Sequence, residues 1–293
     1  MNRIQTSIAV LGIIGILSGQ PAAISAQSAQ SSISQLTEQD YLQQGTEKYK
    51  QGNYEGAIAD FTQAILLNPK SDVAYEARGN ARDDNGDSNG AIADYQQALK
   101  INPNSYTIYF NQAIAYEKLK NYDAAIANYT QAIKLNPDYA AAYENRGNLL
   151  DDKGDSQAAL ADYEQALRIN PNKPSTYYNQ GITYARLKDY QAAIASFNQT
   201  IKVDPNYFLA YNNRGIIYSR LNDLQAALKD FNQALRINPK SANTYYNRGL
   251  LYIQLKNNQL AIQDFQQAAN IYKAENNPED YQDALTRIRE LQK

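Results

Sequence analysis

The chain of 293 residues has no cysteine, no histidine and no tryptophan, and a single methionine. Without cysteine no disulfide holds the fold, whatever redox compartment the protein occupies. The lack of histidine excludes more. There is no imidazole base, no Ser-His-Asp or Cys-His site, and no usual zinc or iron ligand set, so catalysis would have to rest on carboxylates, Lys, Tyr or a bound hard cation. An excess of one charge is missing as well: 28 Lys and Arg face 30 Asp and Glu, for a net charge of −2. No basic block is long enough to track phosphates, and nucleic acid is not an expected partner. Beyond the N-terminus there is no long hydrophobic run, and 20% charged with 43% hydrophobic residues describes a soluble chain.

The N-terminus is the exception. Met1, Asn2 and Arg3 precede the apolar run Ile8 to Leu17, and Ser18, Gly19, Pro21, Ala23, Ser25 and Ala26 follow it. Residues 1–26 read as a secretory signal peptide, cleaved after Ser25 or Ala26. The run is about ten residues where a bilayer span needs roughly 20, so no stable membrane insertion is expected after cleavage. The mature chain is expected to be periplasmic or secreted. Residues 27–37, rich in Ser and Gln, read as a flexible leader.

What fills the rest is repetition. Tyr41, Tyr75, Tyr109, Tyr143, Tyr177, Tyr211 and Tyr245 stand 34 residues apart. An alanine column from Ala57 to Ala261, an aromatic column from Phe61 to Phe265 and a proline column from Pro69 to Pro239 keep the same register. Units of this length stack, each burying its apolar face against its neighbours, so function is expected on a surface and not in one enclosed pocket. Apolar and small residues recur every three or four positions on both sides of a turn in each unit, the period of two amphipathic helices. Asn53, Asp87, Asn121, Asp155, Asp189, Asp223 and Asn257 are expected to cap the second helix, which ends at Asn-Pro or Asp-Pro. The proline is expected to open the helix that follows. Units two and four are closer to each other than to the unit between them, a second period of 68 residues.

An aromatic, Gly, Tyr, Ala, aromatic, Ala, Pro pattern over 34 residues resembles the tetratricopeptide repeat family, and the resemblance spans residues 38–275. Gly45, Gly79, Gly147, Gly181, Gly215 and Gly249 occupy its small-residue column. Tyr replaces the usual Trp, Ala113 and Thr200 break two columns, and Lys273 stands where a seventh proline belongs. The resemblance implies an all-α fold, a right-handed superhelical solenoid of antiparallel helix pairs. It also implies a concave groove, lined by the first helix of each unit, that holds a protein or peptide partner. Residues 276–293 read as a C-terminal capping helix, with Asn277 as cap, Pro278 at its start, and Tyr281, Leu285, Ile288 and Leu291 as one apolar stripe.

Two residues after the tyrosine column lie Asn111, Asn145, Asn179, Asn213 and Asn247. They resemble the asparagine ladder with which tetratricopeptide superhelices grip an extended peptide backbone. The competing reading is that these amides serve local polar contacts. Phe110, Tyr178 and Tyr246 are expected to be exposed aromatic anchors beside the ladder. Glu76, Asp83, Asp84, Glu144, Asp151 and Asp152 are expected to make the first half of the groove acidic, with Arg186 and Arg220 at corresponding places in the second half. Glu76 and Thr107 replace the basic pair of the family's carboxylate clamps. Asp83, Asp84 and Asp87, like Asp151, Asp152 and Asp155, lack the alternating spacing of a calcium loop, and read as helix caps and solvent-facing helix ends. The function expected is a non-enzymatic interaction scaffold without cofactor or metal. The alternatives are a self-assembling structural solenoid or, less favoured, a carboxylate hydrolase or calcium-binding protein.

The units also supply their own comparison set. Where Arg78, Arg146, Arg214 or Arg248 precedes the glycine, the same unit's second helix carries Asp94, Asp162, Asp230 or Asp264. Gln112 and Gln180 go instead with Asn128 and Ser196, and only Gln44 with Asp60 departs from the rule. Each such Arg is expected to pair with the Asp of its own unit.

Overall fold

The computed structural model describes residues 36–292, so the segment read as a signal peptide and nearly all of the segment read as a leader lie outside the described residues. Among these residues there are fifteen α-helices and no strand. The first three units are α1 (Glu38–Lys50) with α2 (Tyr54–Leu67), α3 (Asp72–Asp84) with α4 (Ser88–Ile101), and α5 (Tyr106–Lys118) with α6 (Tyr122–Leu135). Next come α7 (Ala140–Asp152) with α8 (Ser156–Ile169), α9 (Pro174–Arg186) with α10 (Tyr190–Val203), and α11 (Phe208–Arg220) with α12 (Leu224–Ile237). The last pair, α13 (Ala242–Gln254) and α14 (Asn258–Ala274), is followed by α15 (Pro278–Leu291). The chain is an all-α helical-repeat solenoid.

Start and stop chemistry explains the regular lengths. The side chain of each expected Asn or Asp accepts the amide of the third residue on, from Asn53 with Gly56 at 3.0 Å to Asn257 with Leu260 at 3.1 Å. At the other end the Asn or Asp before each proline turns the chain. Asn68 Oδ1, for example, accepts the amide of Lys70. The prolines themselves do not open the next helix, as the sequence suggested: Pro69 lies in the turn, three residues ahead of Asp72. Ser71 and Ser105 cap their helices there, through the amides of Ala74 and Ile108. Thr37, at the edge of the leader, caps α1 by a reciprocal bond pair with Asp40. Where Lys273 replaces proline nothing stops the helix, and α14 reaches 17 residues against 14 in the other second helices.

Packing within a unit rests on glycine facing a ring. A Cβ on Gly79 would lie 2.6 Å from Tyr95, and one on Gly147 2.9 Å from Tyr163, both rings being almost fully buried. Gly79→Ala gains about 1 kcal/mol of helix propensity but overpacks by about 1–3. A net loss, read as a lower urea midpoint, is the expected result. Unit three carries Ala113 at this place. There the ring of Tyr129 turns its hydroxyl to Glu117 Oε2 at 2.9 Å, whereas Tyr95 and Tyr163 donate to Asn80 and Asn148.

First helices of successive units also touch each other, α1 with α3, α3 with α5, α7 with α9, α9 with α11 and α11 with α13, while second helices stay further apart. The first helices therefore line the inner side. At the far end α15 starts behind Asn277 and buries Ala284 and Ile288, the latter against Ala261 and Phe265 of α14.

Candidate functional site: the first-helix groove

The four Arg and Asp pairs are present as two-pronged bonds between the helices of one unit. Arg146 donates from Nε and Nη2 to Asp162 at 2.7 Å each, and Arg78, Arg214 and Arg248 do the same to Asp94, Asp230 and Asp264 at 2.7–2.9 Å. The Asp162 carboxylate raises the Arg146 guanidinium above its ordinary value, with burial opposing. Gln180, in a unit without the ion pair, accepts a neutral bond from Ser196 at 2.9 Å. The first unit's exception has a physical reason: Lys48, one turn after Gln44, reaches Asp60 at 2.6 Å.

Each guanidinium also has a third arm. Its Nη1 donates to the preceding unit's second helix, Arg146 to Thr130 at 3.0 Å, Arg248 to Asn232 at 2.6 Å, Arg78 to Thr62 and Arg214 to Asn198. The sequence carried this signal, because Thr62, Thr130, Asn198 and Asn232 precede the Arg units while Gln96 and Glu164 precede Gln112 and Gln180. These arginines stitch unit to unit and are spent before any ligand arrives.

The asparagine column lies on the inner helices, half-buried, and every member donates to the preceding unit. Asn111 Nδ2 bonds Asn80 Oδ1 at 3.1 Å and Glu76 Oε1 at 3.4 Å. Asn145 bonds the Tyr129 hydroxyl, Asn179 bonds Asn148, Asn213 bonds the Tyr178 hydroxyl, and Asn247 bonds Asn212, at 2.8–3.2 Å. An amide has two N–H donors and one carbonyl. Among the described residues Asn145, Asn179 and Asn247 keep one donor and the carbonyl unused. Asn111 has spent both donors, and the carbonyl of Asn213 accepts from Asn212. The row is thus a structural seam with peptide-like capacity left at three places.

The aromatic residues differ from expectation. Phe110, Tyr178 and Tyr246 are half-buried and not exposed anchors: the first two wedge between units, and Tyr246 packs within its own unit and beside α15. Phe110 packs on Tyr139 at 4.8 Å between ring centroids, Tyr178 on Tyr207 at 5.0 Å, and Tyr246 on Phe265 at 5.2 Å. The reason is the turn into the next unit, which supplies Tyr139 and Tyr207 as partners.

The acidic half also needs correcting. Asp83 and Asp151 do not face solvent: each is under a tenth exposed. Asp83 accepts the Ser88 hydroxyl at 2.6 Å and pairs with Lys118 at 2.8 Å. Asp151 accepts from Ser156 at 2.8 Å and Thr183 at 3.0 Å, and pairs with Arg186 at 3.0 Å. Glu144 accepts from Ser175, and burial raises the pKa of the half-buried Glu76. The sequence clusters are divided between a buried strut, an exposed neighbour and a helix cap. No group of three possible metal-ligating side chains occurs among the described residues, nor any helix long and apolar enough to cross a membrane. Arg186 is half-committed to Asp151; Arg220 has no hydrogen bond or ion pair within the described residues.

Tetratricopeptide repeat models match residues 42–106, 76–127 and 110–174, and further models of the same description match 148–212, 208–241 and 231–263. A solved tetratricopeptide repeat protein from Parabacteroides merdae is 21% identical, with 85% of this chain and 98% of that one covered at a TM-score of 0.63. PilF of Pseudomonas aeruginosa is also 21% identical, over 71% of this chain and 94% of its own, at 0.60. YrrB, described as a TPR protein with an unusual peptide-binding site, is 24% identical over 60% of this chain and 91% of its own, at 0.53. No curated protein sequence matched. With its helix pairs, its glycine-on-ring packing and matching models running from residue 42 to 263, the chain belongs to the tetratricopeptide repeat family.

Proposed function

We propose that this protein is a non-enzymatic scaffold that holds an extended segment of a partner protein along the first-helix groove. The observation that carries this reading is the unused donor and carbonyl on Asn145, Asn179 and Asn247, which match the two hydrogen-bonding groups of a peptide unit. Inner helices lie roughly 8–10 Å apart and three extended residues cover roughly 10 Å, so successive units meet every third peptide group. The peptide-binding site described for YrrB is on the same fold and agrees with this use of it.

Energy limits the ladder's part. Three such contacts at about 0.5–1.5 kcal/mol each reach at most the lower edge of the roughly 4–15 that association costs. Side chains of the partner must supply the rest. The N-terminal apolar run, outside the described residues, supports an exported protein working in the periplasm or outside the cell.

The test is Asn145→Ala with Asn179→Ala. A partner captured from the extracytoplasmic fraction is expected to bind the double variant about tenfold more weakly, the loss of two neutral hydrogen bonds. Binding that is unchanged would refute the reading. Because each Asn also bonds the preceding unit, some loss of melting temperature is expected too, and binding is compared well below the melting range of both proteins.

A further inference from the structure

A second seam runs along the groove, made by side chains 35 residues apart in neighbouring units. Asp83 pairs with Lys118 at 2.8 Å, Asp151 pairs with Arg186 at 3.0 Å, Ser219 donates to Gln254 at 3.0 Å, and Tyr49 donates to Asp84. The same step from Arg220 leads back to Ala185. The position that gives Arg186 its carboxylate gives Arg220 a methyl group.

The vacancy coincides with a cavity. Between α9 and α11 lies a space of about 360 Å³ lined by Ile182, Ala185 and Ile216 on its apolar side and by Arg186, Lys188 and Arg220 on its charged side. The related cavities one and three units towards the N-terminus show what is missing. The α7/α9 cavity holds Asp151 and Asp152, and the α3/α5 cavity holds Asp83 and Asp84. The α9/α11 cavity is lined by three cations and no carboxylate. The ladder residue Asn213 is also on its wall, so a segment lying along the groove passes its mouth.

We propose that this cavity takes an acidic side chain, an Asp or Glu with an aliphatic residue beside it, from the segment held in the groove. The inference rests on the groove reading and adds the partner's chemistry to it. The incoming carboxylate occupies the place of the one that Ala185 does not supply, bonded by Arg220, while Lys188 adds charge at the rim. The aliphatic neighbour lies against Ile182 and Ile216. A charged contact of this kind contributes what the neutral ladder lacks, and fixes which residue of the segment meets which unit.

The probe is the capped peptide acetyl-Ala-Leu-Glu-Leu-Ala-amide, whose only carboxylate is the Glu side chain, with acetyl-Ala-Leu-Gln-Leu-Ala-amide as its neutral twin. Binding to the whole mature chain is followed through the arginine Nε–Hε NMR signals. The Glu peptide is expected to shift the Arg220 signal saturably, and the Gln peptide to bind about fivefold more weakly, the factor for an ion pair of about 1 kcal/mol. Arg220→Ala should abolish the preference for Glu. Ala185→Asp restores the seam's carboxylate and should also abolish it, while keeping or raising the melting temperature, which separates pocket closure from misfolding. Equal binding of both peptides, a preference that survives both variants, or no shift at Arg220 would each overturn the proposal. None of these outcomes touches the groove reading, which stands or falls on the Asn145 and Asn179 double variant with captured partner.

Discussion

Asp162→Ala should destabilise the chain by about 3–5 kcal/mol, the cost of leaving a shielded charge without its partner. The Arg146 side chain is 18% exposed and that of Asp162 only 7%, so water cannot replace the two 2.7 Å bonds that are lost. Thr130 and the ring of Tyr143 still hold the guanidinium in place, so it cannot swing out to solvent without breaking those contacts as well. The protein contains a neutral version of the same link, Gln180 with Ser196. Arg146→Gln combined with Asp162→Ser should therefore recover most of the loss. Urea midpoints of the two single variants and the double variant give the coupling directly. Additive losses would show that the pair contributes nothing as a pair.

Asp151→Ala should cost about 2–4 kcal/mol, and Asp152→Ala close to nothing. Adjacent in sequence, the two carboxylates have opposite surroundings. Asp151 is buried and holds the hydroxyls of Ser156 and of Thr183, which is itself fully buried, along with the guanidinium of Arg186. Its removal leaves two buried hydroxyls unsatisfied, each worth about 1–3 kcal/mol, of which Thr183 recovers part through the Asn179 carbonyl at 3.0 Å. Asp152 is exposed and loses nothing of that kind. Thermal melts of the two variants decide the matter, and equal effects would return the acidic cluster to a surface feature.

The repeat, its helix pairs, the second-helix caps and the four intra-unit ion pairs were legible because each depends on a fixed spacing within one unit. Contacts between units were harder to read. Asp83 and Asp151 looked solvent-facing because an amphipathic pattern shows which side of one helix is polar, and says nothing about a Ser, Thr or Arg brought from 5, 32 or 35 residues away. Phe110, Tyr178 and Tyr246 were misread for a similar reason: the turn residues Tyr139 and Tyr207, outside both helical patterns, cover two of them. The third arm of each arginine was readable in principle, since the Thr or Asn 16 residues before it alternates in step with it.

Photocrosslinking tests the central assignment, that the first helices form the binding face, most directly. A benzoylphenylalanine placed at Asn179 in the groove is compared with one at Gln199, exposed on the second helix α10, in cells that make the protein from its own gene. The account predicts a discrete crosslinked partner from position 179 and none from 199, and loss of that product when Asn145 and Asn247 are both changed to Ala. A partner that crosslinks from 199 and not from 179 would place the binding surface on the outer helices and contradict the account.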